Sequence, residues 1–404
     1  MNGRSSPAVD VLVVNAGSST LKLALVAPDD ALVGARELAA PGGHADLAEV
    51  RAAIDGLLDR RGRGRADSGP GGGAGDQLDR AGAGRLAVGH RIVHGGLEFT
   101  APVQIDARVA GRLAELTALA PLHQPAALAA LDEARTLLPD AVQVACFDTA
   151  FHATLPPAAT TYALPAAWRE RYGLRRYGFH GLSHSYAAGR ARELTEAMTG
   201  SPARRIVTCH LGSGASLAAV RDGISVDTTM GFTPLEGLVM ATRSGDVDPG
   251  LLLWLQTSGG LSAEELTDRL FHASGLVALG GTADMRALVE RAGQSDEAAD
   301  LALAVYLRRL RAGIAAMAAS LGGLDALVFT GGVGEHSPQI RATAADGLAF
   351  LGIGLDLTRN AGHDPTIDPD ADLTAEGAPV RTFVLAARED LEIARGVRSV
   401  LASR

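Results

Sequence analysis

The 404-residue chain is long enough to form about two domains, each with a sizeable core. Hydrophobic residues make up 47% and charged residues 21% of it, which excludes a disordered protein. The net charge of −9 excludes non-specific nucleic-acid binding, and the two cysteines, Cys146 and Cys209, match no metal or redox spacing.

Each cysteine lies in an apolar run, which predicts buried thiols in a reducing, cytoplasmic compartment. No apolar stretch precedes the first predicted strand, so we expect no signal peptide. The longest apolar run, around 312–324, is too short and too rich in glycine and alanine to span a bilayer.

The first predicted element is a buried β-hairpin over residues 11–26, in which two apolar runs flank a short polar turn. Asn15, three hydroxyls, a glycine and Lys22 suit a phosphate-like ligand. Lys22 is the only lysine in the chain. Taken alone, the segment favours an ordinary hairpin with a polar turn.

A weakly amphipathic helix is predicted over residues 46–60, followed by a flexible, glycine- and arginine-rich insertion over 62–84. This insertion cannot bury apolar area. Interleaved aspartates and the absence of aromatic residues favour a solvated loop over an RNA-binding segment.

Two further strands lead to candidate polar residues. A strand from residue 85 runs into a turn that carries His90, Arg91 and His94, a helix follows Pro125, and a strand over 141–147 ends at Asp148. Ligands of open α/β sheets bind at the carboxyl ends of strands. Asp148 is therefore either a chemical group or a helix or turn cap.

A helix is predicted over residues 183–198. Residues 206–221, which follow it, repeat the pattern of residues 11–26. Both segments have four strand residues, a polar residue (Asn15 or His210), one spacer, Gly-Ser and a second strand. This predicts an internal duplication of a strand–phosphate turn–strand unit.

A third strand, over 326–330, opens into a glycine-rich turn at 331–335 that would allow close approach of the adenosine part of a nucleotide. Arg243 lies in an irregular segment and is either a recognition cation or a salt-bridge partner. A polar loop is expected near 360–378. Beyond it, Glu389 and Asp390 fit either a hard-cation site or the first turn of a closing helix.

Together these segments resemble the acetate kinase family. The resemblance covers residues 10–398, least over 27–84, and is carried by Asn-Ala-Gly-Ser-Ser-Thr-Leu-Lys (15–22), His-Arg-Ile-Val-His-Gly-Gly (90–96), Ala-Pro-Leu-His (120–123), Phe-Asp-Thr-Ala-Phe-His (147–152), Tyr-Gly-Phe-His-Gly-Leu-Ser-His (177–184), His-Leu-Gly-Ser-Gly-Ala-Ser (210–216), Met-Gly-Phe-Thr-Pro-Leu-Glu-Gly-Leu (230–238) and Thr-Arg-Ser-Gly-Asp-Val-Asp-Pro (242–249).

The resemblance implies the actin, hexokinase and heat-shock-chaperone ATPase superfamily. The expected fold is α/β, with two duplicated RNase H-like domains of mixed five-stranded sheets flanked by helices and an active site in the interdomain cleft. Domain one would comprise residues 1–152 plus 387–404. Domain two would comprise residues 153–386, with the nucleotide site and the interface of a homodimer.

The implied activity is reversible transfer of the ATP γ-phosphoryl group to acetate, with Mg²⁺ or Mn²⁺ as cofactor. The implied catalytic residues are Asp148, His180, Arg91 and Arg243, of which His180 and Arg243 stabilise the transition state; His123 and His210 would lie close to the same path. Mg²⁺ would be held through Glu389 and Asp148, with Asn15 nearby as a further metal ligand.

Two larger sets follow from the same resemblance. The substrate-binding set is Arg91, Val93, Leu122, Phe179 and Pro234. The nucleotide-binding set is Asn15, Ser18, Thr20, Lys22, His210, Leu211, Gly212, Ser213, Gly214, Asp284, Met285, Arg286, Gly331, Gly332, Val333, Gly334 and Glu335. Val93 leaves room for a methyl group, which favours acetate over propionate.

The chain departs from the family pattern at Gln124, Ser213, Ala241, His336, residues 279–283 and residues 387–388. Two explanations stay open: coding bias against asparagine for three of these positions, since the chain has only three asparagines, or altered phosphate and adenosine loops that lower ATP affinity or shift the donor preference. Three alternatives remain open: a propionate kinase, an acetate kinase with another phosphoryl donor, and a catalytically inactive nucleotide-binding protein.

Overall fold

The computed structural model describes residues 9–17, 20–41, 45–66, 86–121 and 123–403. Ser18, Leu122 and residues 67–84 of the predicted insertion lie outside the described residues. No helix of the described part has both the length and the apolar character needed to cross a membrane.

The strands are β1 (Asp10–Ala16), β2 (Thr20–Val26), β3 (Leu32–Ala39), β4 (Leu86–Ile92), β5 (Val103–Gln104), β6 (Val142–Phe147), β7 (Arg205–Leu211), β8 (Ala215–Arg221), β9 (Ile224–Thr228), β10 (Ala326–Thr330), β11 (Asp370–Asp372) and β12 (Arg381–Leu385).

The helices are α1 (Leu47–Ala66), α2 (Ala107–Glu115), α3 (Gln124–Leu137), α4 (Pro157–Thr160), α5 (Ala166–Tyr172), α6 (Gly181–Thr199), α7 (Pro249–Thr257), α8 (Ala263–His272), α9 (Gly275–Gly280), α10 (Met285–Ala292), α11 (Glu297–Leu321), α12 (Gly331–His336), α13 (Pro338–Asp346), α14 (Leu357–Gly362) and α15 (Glu389–Ala402). Short 3-10 helices cover Leu116–Leu119, Ala150–Thr154 and Ala349–Leu351.

The chain divides into two units: unit 1, residues 1–150 and 388–404, and unit 2, residues 151–387. Unit 1 holds a six-stranded sheet of order β3-β2-β1-β4-β6-β5, and unit 2 one of order β11-β12-β10-β7-β8-β9. In both, three antiparallel strands adjoin two parallel strands and one short antiparallel edge strand. The predicted duplicated α/β fold is confirmed.

Three local predictions were wrong. Each sheet has six strands rather than five, because β5 and β11, with two and three residues, are too short to show alternation in the sequence. Helix α1 continues through residues 62–66, which we predicted as part of the insertion. The expected loop near 360–378 contains the end of α14 and strand β11.

The cores lie between sheet and helices. In unit 1, Leu12, Leu23 and Leu25 pack with Leu57 of α1 and are fully buried; burying a leucine contributes about 1.5–3 kcal/mol. On the other side of this sheet, α15 lies directly on β4. A Cβ at Gly89 would come within 2.5 Å of Ile393 Cγ2, so only glycine permits this packing.

Candidate active site

Four segments of unit 1 converge on Arg91. Asn15 lies near the end of β1, Arg91 near the end of β4, Asp148 directly after β6 and Glu389 at the first residue of α15. Because β1, β4 and β6 are parallel, their carboxyl ends meet at one edge of the sheet.

The Arg91 guanidinium holds these side chains by hydrogen bonds. Its Nη2 donates to Asp148 Oδ2 over 2.6 Å, and its Nε donates to both carboxylate oxygens over 3.1 Å. Nη1 donates to Asn15 Oδ1 over 3.2 Å, and Asn15 Nδ2 donates to Glu389 Oε2 over 3.0 Å. Four residues that the sequence assigns to substrate and metal therefore form one network.

This network is largely shielded from water. The Asp148 side chain is 1% exposed and that of Arg91 19%. Burial raises the pKa of Asp148 above its ordinary value, and Arg91 opposes that rise by favouring the carboxylate. Burial alone would lower the pKa of Arg91, but Asp148 and then Glu389 raise it above its ordinary value. One guanidinium thus balances two carboxylates.

The oxygen atoms of this network fit Mg²⁺. Two carboxylates and one amide oxygen come from Asp148, Glu389 and Asn15, and Mg²⁺ prefers oxygen ligands. Within the described ranges, no group of three or more His, Cys, Asp and Glu could hold a metal ion. Mg²⁺ commonly binds through one or two carboxylates together with substrate phosphates, and this donor set suits that arrangement.

The remaining unit 1 predictions lie close by in sequence. Val93 follows β4 and is buried. Lys22 is paired with Asn15 across β1 and β2, but its side chain is 60% exposed and its Nζ lies 3.6 Å from Glu37 Oε2. The Thr20 carbonyl accepts a hydrogen bond from Gly17 N and closes the described part of the turn. The assignment of Thr20 and Lys22 to nucleotide binding stays a prediction.

In unit 2, His180 and Arg243 both lie beside Gly214. A Cβ at Gly214 would be 3.2 Å from His180 Nε2 and 3.6 Å from Arg243 Nη1. Because Gly214 has no side chain, the imidazole ring of His180 and the guanidinium of Arg243 can both approach it. Arg243 Nη1 donates to the Pro234 carbonyl over 3.1 Å, and burial lowers the pKa of Arg243.

His180 belongs to a cluster of histidines and serines. Its ring stacks on that of His210, with 4.3 Å between centroids, and its Nδ1 lies 2.9 Å from Ser216 Oγ. His184 Nε2 lies 2.8 Å from the same hydroxyl. Sequence reasoning assigned no role to His184 or Ser216. The proximity of His184 to His180 could have been predicted, because His184 lies four residues after His180 in a segment that carries the resemblance.

The end of β7 meets the segment after β10. Gly331 has φ +77°, and a Cβ there would lie 2.9 Å from the Leu211 carbonyl oxygen, so glycine permits the close approach. Thr330 pairs with His210 in the parallel ladder. Two parts of the predicted nucleotide-binding set, residues 210–214 and 331–335, are thereby brought together.

The predicted turn at 331–335 is instead helix α12. Glu335 Oε1 accepts hydrogen bonds from the backbone N–H groups of Gly331 (2.8 Å) and Ala387 (3.0 Å). Arg341, fully buried, donates to the carbonyl groups of Gly334 and Glu335. Burial lowers the pKa of Arg341 to about 10. These tertiary contacts stabilise a helix in a glycine-rich segment, and sequence reasoning missed Arg341.

The other predicted nucleotide residues have separate local roles. Asp284 is the N-cap of α10, its Oδ1 accepting a hydrogen bond from Arg286 N over 2.8 Å, and Met285 is buried. The Ser213 carbonyl accepts a hydrogen bond from Ala241 N over 3.1 Å. This backbone contact joins two of the positions that depart from the family pattern, and it does not depend on their side chains.

The segment around Pro234 is fixed by three side chains that sequence reasoning missed. Tyr162 Oη donates to Glu236 Oε2 over 2.5 Å and accepts from Phe232 N. Arg176 forms an ion pair with Glu236 and donates to the Met230 carbonyl over 3.0 Å. Burial and the neighbouring Glu236 raise the pKa of Tyr162.

The chain matches known proteins over most of its length. The model of the acetokinase family matches residues 77–395. An acetate kinase from Synechococcus sp. is 43% identical, with 97% of this chain and 99% of that protein covered.

Two solved structures are similar along almost their whole length. An acetate kinase from Porphyromonas gingivalis has a TM-score of 0.82 at 33% identity, covering 98% of this chain and 100% of that one. A propionate kinase from Francisella tularensis has a TM-score of 0.81 at 31% identity, covering 96% and 98%. The chain therefore belongs to the acetokinase family.

Proposed function

We propose that the protein is an acetate kinase, which transfers the γ-phosphoryl group of ATP reversibly to acetate and forms acetyl phosphate and ADP. The observation that carries this proposal is the network of Asn15, Arg91, Asp148 and Glu389. It combines a guanidinium for anionic groups with oxygen donors for Mg²⁺, in a chain that is 43% identical to an acetate kinase over nearly its full length.

Phosphoryl transfer needs positioning and charge neutralisation more than covalent help. Arg91 and Arg243 bind the acetate carboxylate and the equatorial phosphoryl oxygens, because guanidinium groups match both anions. His180 donates a hydrogen bond to the transferred group. Asp148, Glu389 and Asn15 hold Mg²⁺, which when bound neutralises phosphate charge.

Acetate is the preferred acyl acceptor in this proposal. The residues that the family resemblance assigns to the acyl chain are Val93, Leu122, Phe179 and Pro234, and the side chains of Val93 and Phe179 are buried. Propionate is a poorer substrate, since one methylene group is worth only about 1–3 kcal/mol. The similarity to a propionate kinase makes that activity the second candidate. Comparing kcat/KM for acetate, propionate and butyrate decides between them.

The decisive experiment measures acetyl hydroxamate formed from acetate, ATP, Mg²⁺ and hydroxylamine. We expect product with the unmodified enzyme and a loss of about a hundredfold to a thousandfold with Arg91→Ala or Arg243→Ala. No hydroxamate from the unmodified enzyme, or near-normal turnover of either variant, contradicts the proposal. Repeating the assay with GTP and pyrophosphate tests whether the changes at Ser213 and His336 alter the donor.

We also propose that the protein is a cytoplasmic homodimer with functional domains 1–152 plus 387–404 and 153–386. Both cysteines are buried free thiols, as expected in a reducing compartment. Helix α7 of unit 2 exposes Leu251, Leu253 and Trp254, an apolar surface suited to a second copy. Sedimentation equilibrium tests the dimer, and a monomer at micromolar concentration contradicts it.

A further inference from the structure

Four side chains of unit 2 form a continuous hydrogen-bond chain that ends at His180. Thr208 Oγ1 lies 2.7 Å from His184 Nδ1, and His184 Nε2 lies 2.8 Å from Ser216 Oγ. Ser216 Oγ lies 2.9 Å from His180 Nδ1. The side chains of Thr208, His184 and Ser216 are fully buried, so water does not compete for these bonds.

The direction of the chain is set at Thr208. Its hydroxyl makes one side-chain hydrogen bond in the described part of the protein, to His184 Nδ1. A buried donor without an acceptor costs more free energy than a buried lone pair without a donor. The Thr208 proton therefore points to His184 Nδ1, which acts as an acceptor.

The remaining protons follow in order. His184 is neutral, because burial lowers its pKa well below the ordinary value and the neighbouring His152 and His210 add to this effect. With Nδ1 as acceptor, its single ring proton is on Nε2 and is donated to Ser216 Oγ. The Ser216 proton is then donated to His180 Nδ1.

A neutral His180 whose Nδ1 accepts a hydrogen bond carries its own proton on Nε2. Nε2 lies on the side of the ring next to Gly214 and Arg243, the residues proposed to contact phosphate. The His180 backbone is in the left-handed region, with φ +56° and ψ 23°, which is uncommon for a residue other than glycine. Backbone, stacking on His210 and the Ser216 hydrogen bond together fix the ring.

We propose that Thr208, His184 and Ser216 are positioning residues that fix His180 as the Nε2–H tautomer, so that the neutral ring donates a hydrogen bond to the transferred phosphoryl group. The inference rests on the proposed function for the identity of that group. With the opposite direction of the chain, Nε2 of a neutral His180 would present a lone pair to the phosphoryl oxygens, which repel it.

The tautomers can be read directly by ¹⁵N–¹H correlation spectra of histidine-labelled enzyme at pH 8 without substrates, with His180 and His184 assigned from His180→Gln and His184→Gln. We expect both rings to carry the proton on Nε2. Thr208→Val, which keeps the side-chain shape but removes the hydroxyl, should shift the tautomer ratio of both rings by about fivefold to tenfold, the factor of one neutral hydrogen bond. Thr208→Ser should restore it.

Two further variants separate this effect from general loosening. Ser216→Ala should shift His180 in the same direction. Ser225→Ala is the matched control, since it removes a buried serine–histidine hydrogen bond of 2.8 Å to His152, outside the chain, and should leave the His180 tautomer unchanged. A proton on His180 Nδ1 in the unmodified enzyme, or equal ratios in Thr208→Val and the unmodified enzyme, overturns the proposal.

Kinetics then connect the tautomer to turnover. Across the four enzymes, kcat should follow the Nε2–H fraction of His180 read from the spectra: it is lower in Thr208→Val and retained in Thr208→Ser and Ser225→Ala, with KM for ATP and acetate within twofold. A kcat of Thr208→Val that does not fall with this fraction refutes the catalytic part. An unmodified enzyme that shows the expected tautomers but forms no acetyl hydroxamate refutes the acetate kinase proposal and leaves the hydrogen-bond chain standing.

Discussion

Replacing Arg91 by glutamine removes the guanidinium that contacts both Asp148 and Glu389. The Asp148 side chain is 1% exposed, so the charge that Arg91 balances on it stays out of water. Breaking a buried ion pair from one side typically costs about 3–5 kcal/mol. We expect about 3 kcal/mol less unfolding free energy for Arg91→Gln at pH 7.5, because Glu389 keeps partial access to solvent.

The loss should depend on pH in a defined direction. Burial already raises the pKa of Asp148, and Arg91 is the group that opposes the rise. Without Arg91 the folded-state pKa of Asp148 rises further, so the folded state holds this proton more tightly than the unfolded chain does. The penalty of Arg91→Gln, measured against the unmodified enzyme, should therefore grow as pH rises and shrink between pH 7.5 and pH 5.

Urea unfolding, followed by circular dichroism at both pH values, provides the measurement. The double variant Arg91→Gln/Asp148→Asn is the control, since it removes the buried charge with its partner and should recover part of the stability. Either of two results refutes this account of the network. One is an Arg91→Gln enzyme as stable as the unmodified one at pH 7.5. The other is a double variant whose loss of unfolding free energy equals the sum of the losses of Arg91→Gln and Asp148→Asn.

Three other measurements test the site and its surroundings. Val93→Ala should raise kcat/KM for propionate relative to acetate by about tenfold, because it removes two side-chain carbon atoms, which is room enough for the one methylene group by which propionate exceeds acetate. Glu236→Gln should raise KM for acetate severalfold with KM for ATP unchanged, since Glu236 and Arg176 fix the Pro234 segment; equal changes in both constants would contradict this. Urea unfolding should give at least about 4 kcal/mol less stability at pH 5.5 than at pH 7.5, because the buried His90, His94 and His152 have pKa values lowered to about 4 and take up protons on unfolding. His184, whose pKa burial also lowers, adds to this loss. An unfolding free energy constant over this range would show that these rings titrate normally in the folded protein.

The duplicated hairpins could be predicted from sequence because their signal is local. Four apolar residues, a polar residue and a glycine-containing turn recur at 11–26 and 206–221, and β1–β2 and β7–β8 occupy corresponding places in the two sheets. Asp148 could be predicted for a related reason, since a polar residue directly after a buried strand lies at the carboxyl edge of a sheet.

Contacts between distant segments could not be predicted in this way. The short strands β5 and β11 are defined by their pairing with β6 and β12. Helix α12 depends on Arg341 and on the carboxylate of Glu335 rather than on helix propensity. Likewise, the place of Ser216 between His180 and His184 follows from hydrogen bonds between β8 and the start of α6, which no spacing in the sequence indicates.

The packing of α15 on Gly89 also has a consequence for biosynthesis. The sheet of unit 1 is encoded before residue 150, yet Ile393 and Val397, which cover β4, are synthesised only after all of unit 2. During translation, about 240 further residues are therefore synthesised, at roughly 5–20 residues per second, before α15 can cover the apolar face of β4. Unit 1 is thus the first unit to leave the ribosome and the last to complete its core. Its core is complete only when Ile393 and Val397 of α15 pack against Gly89.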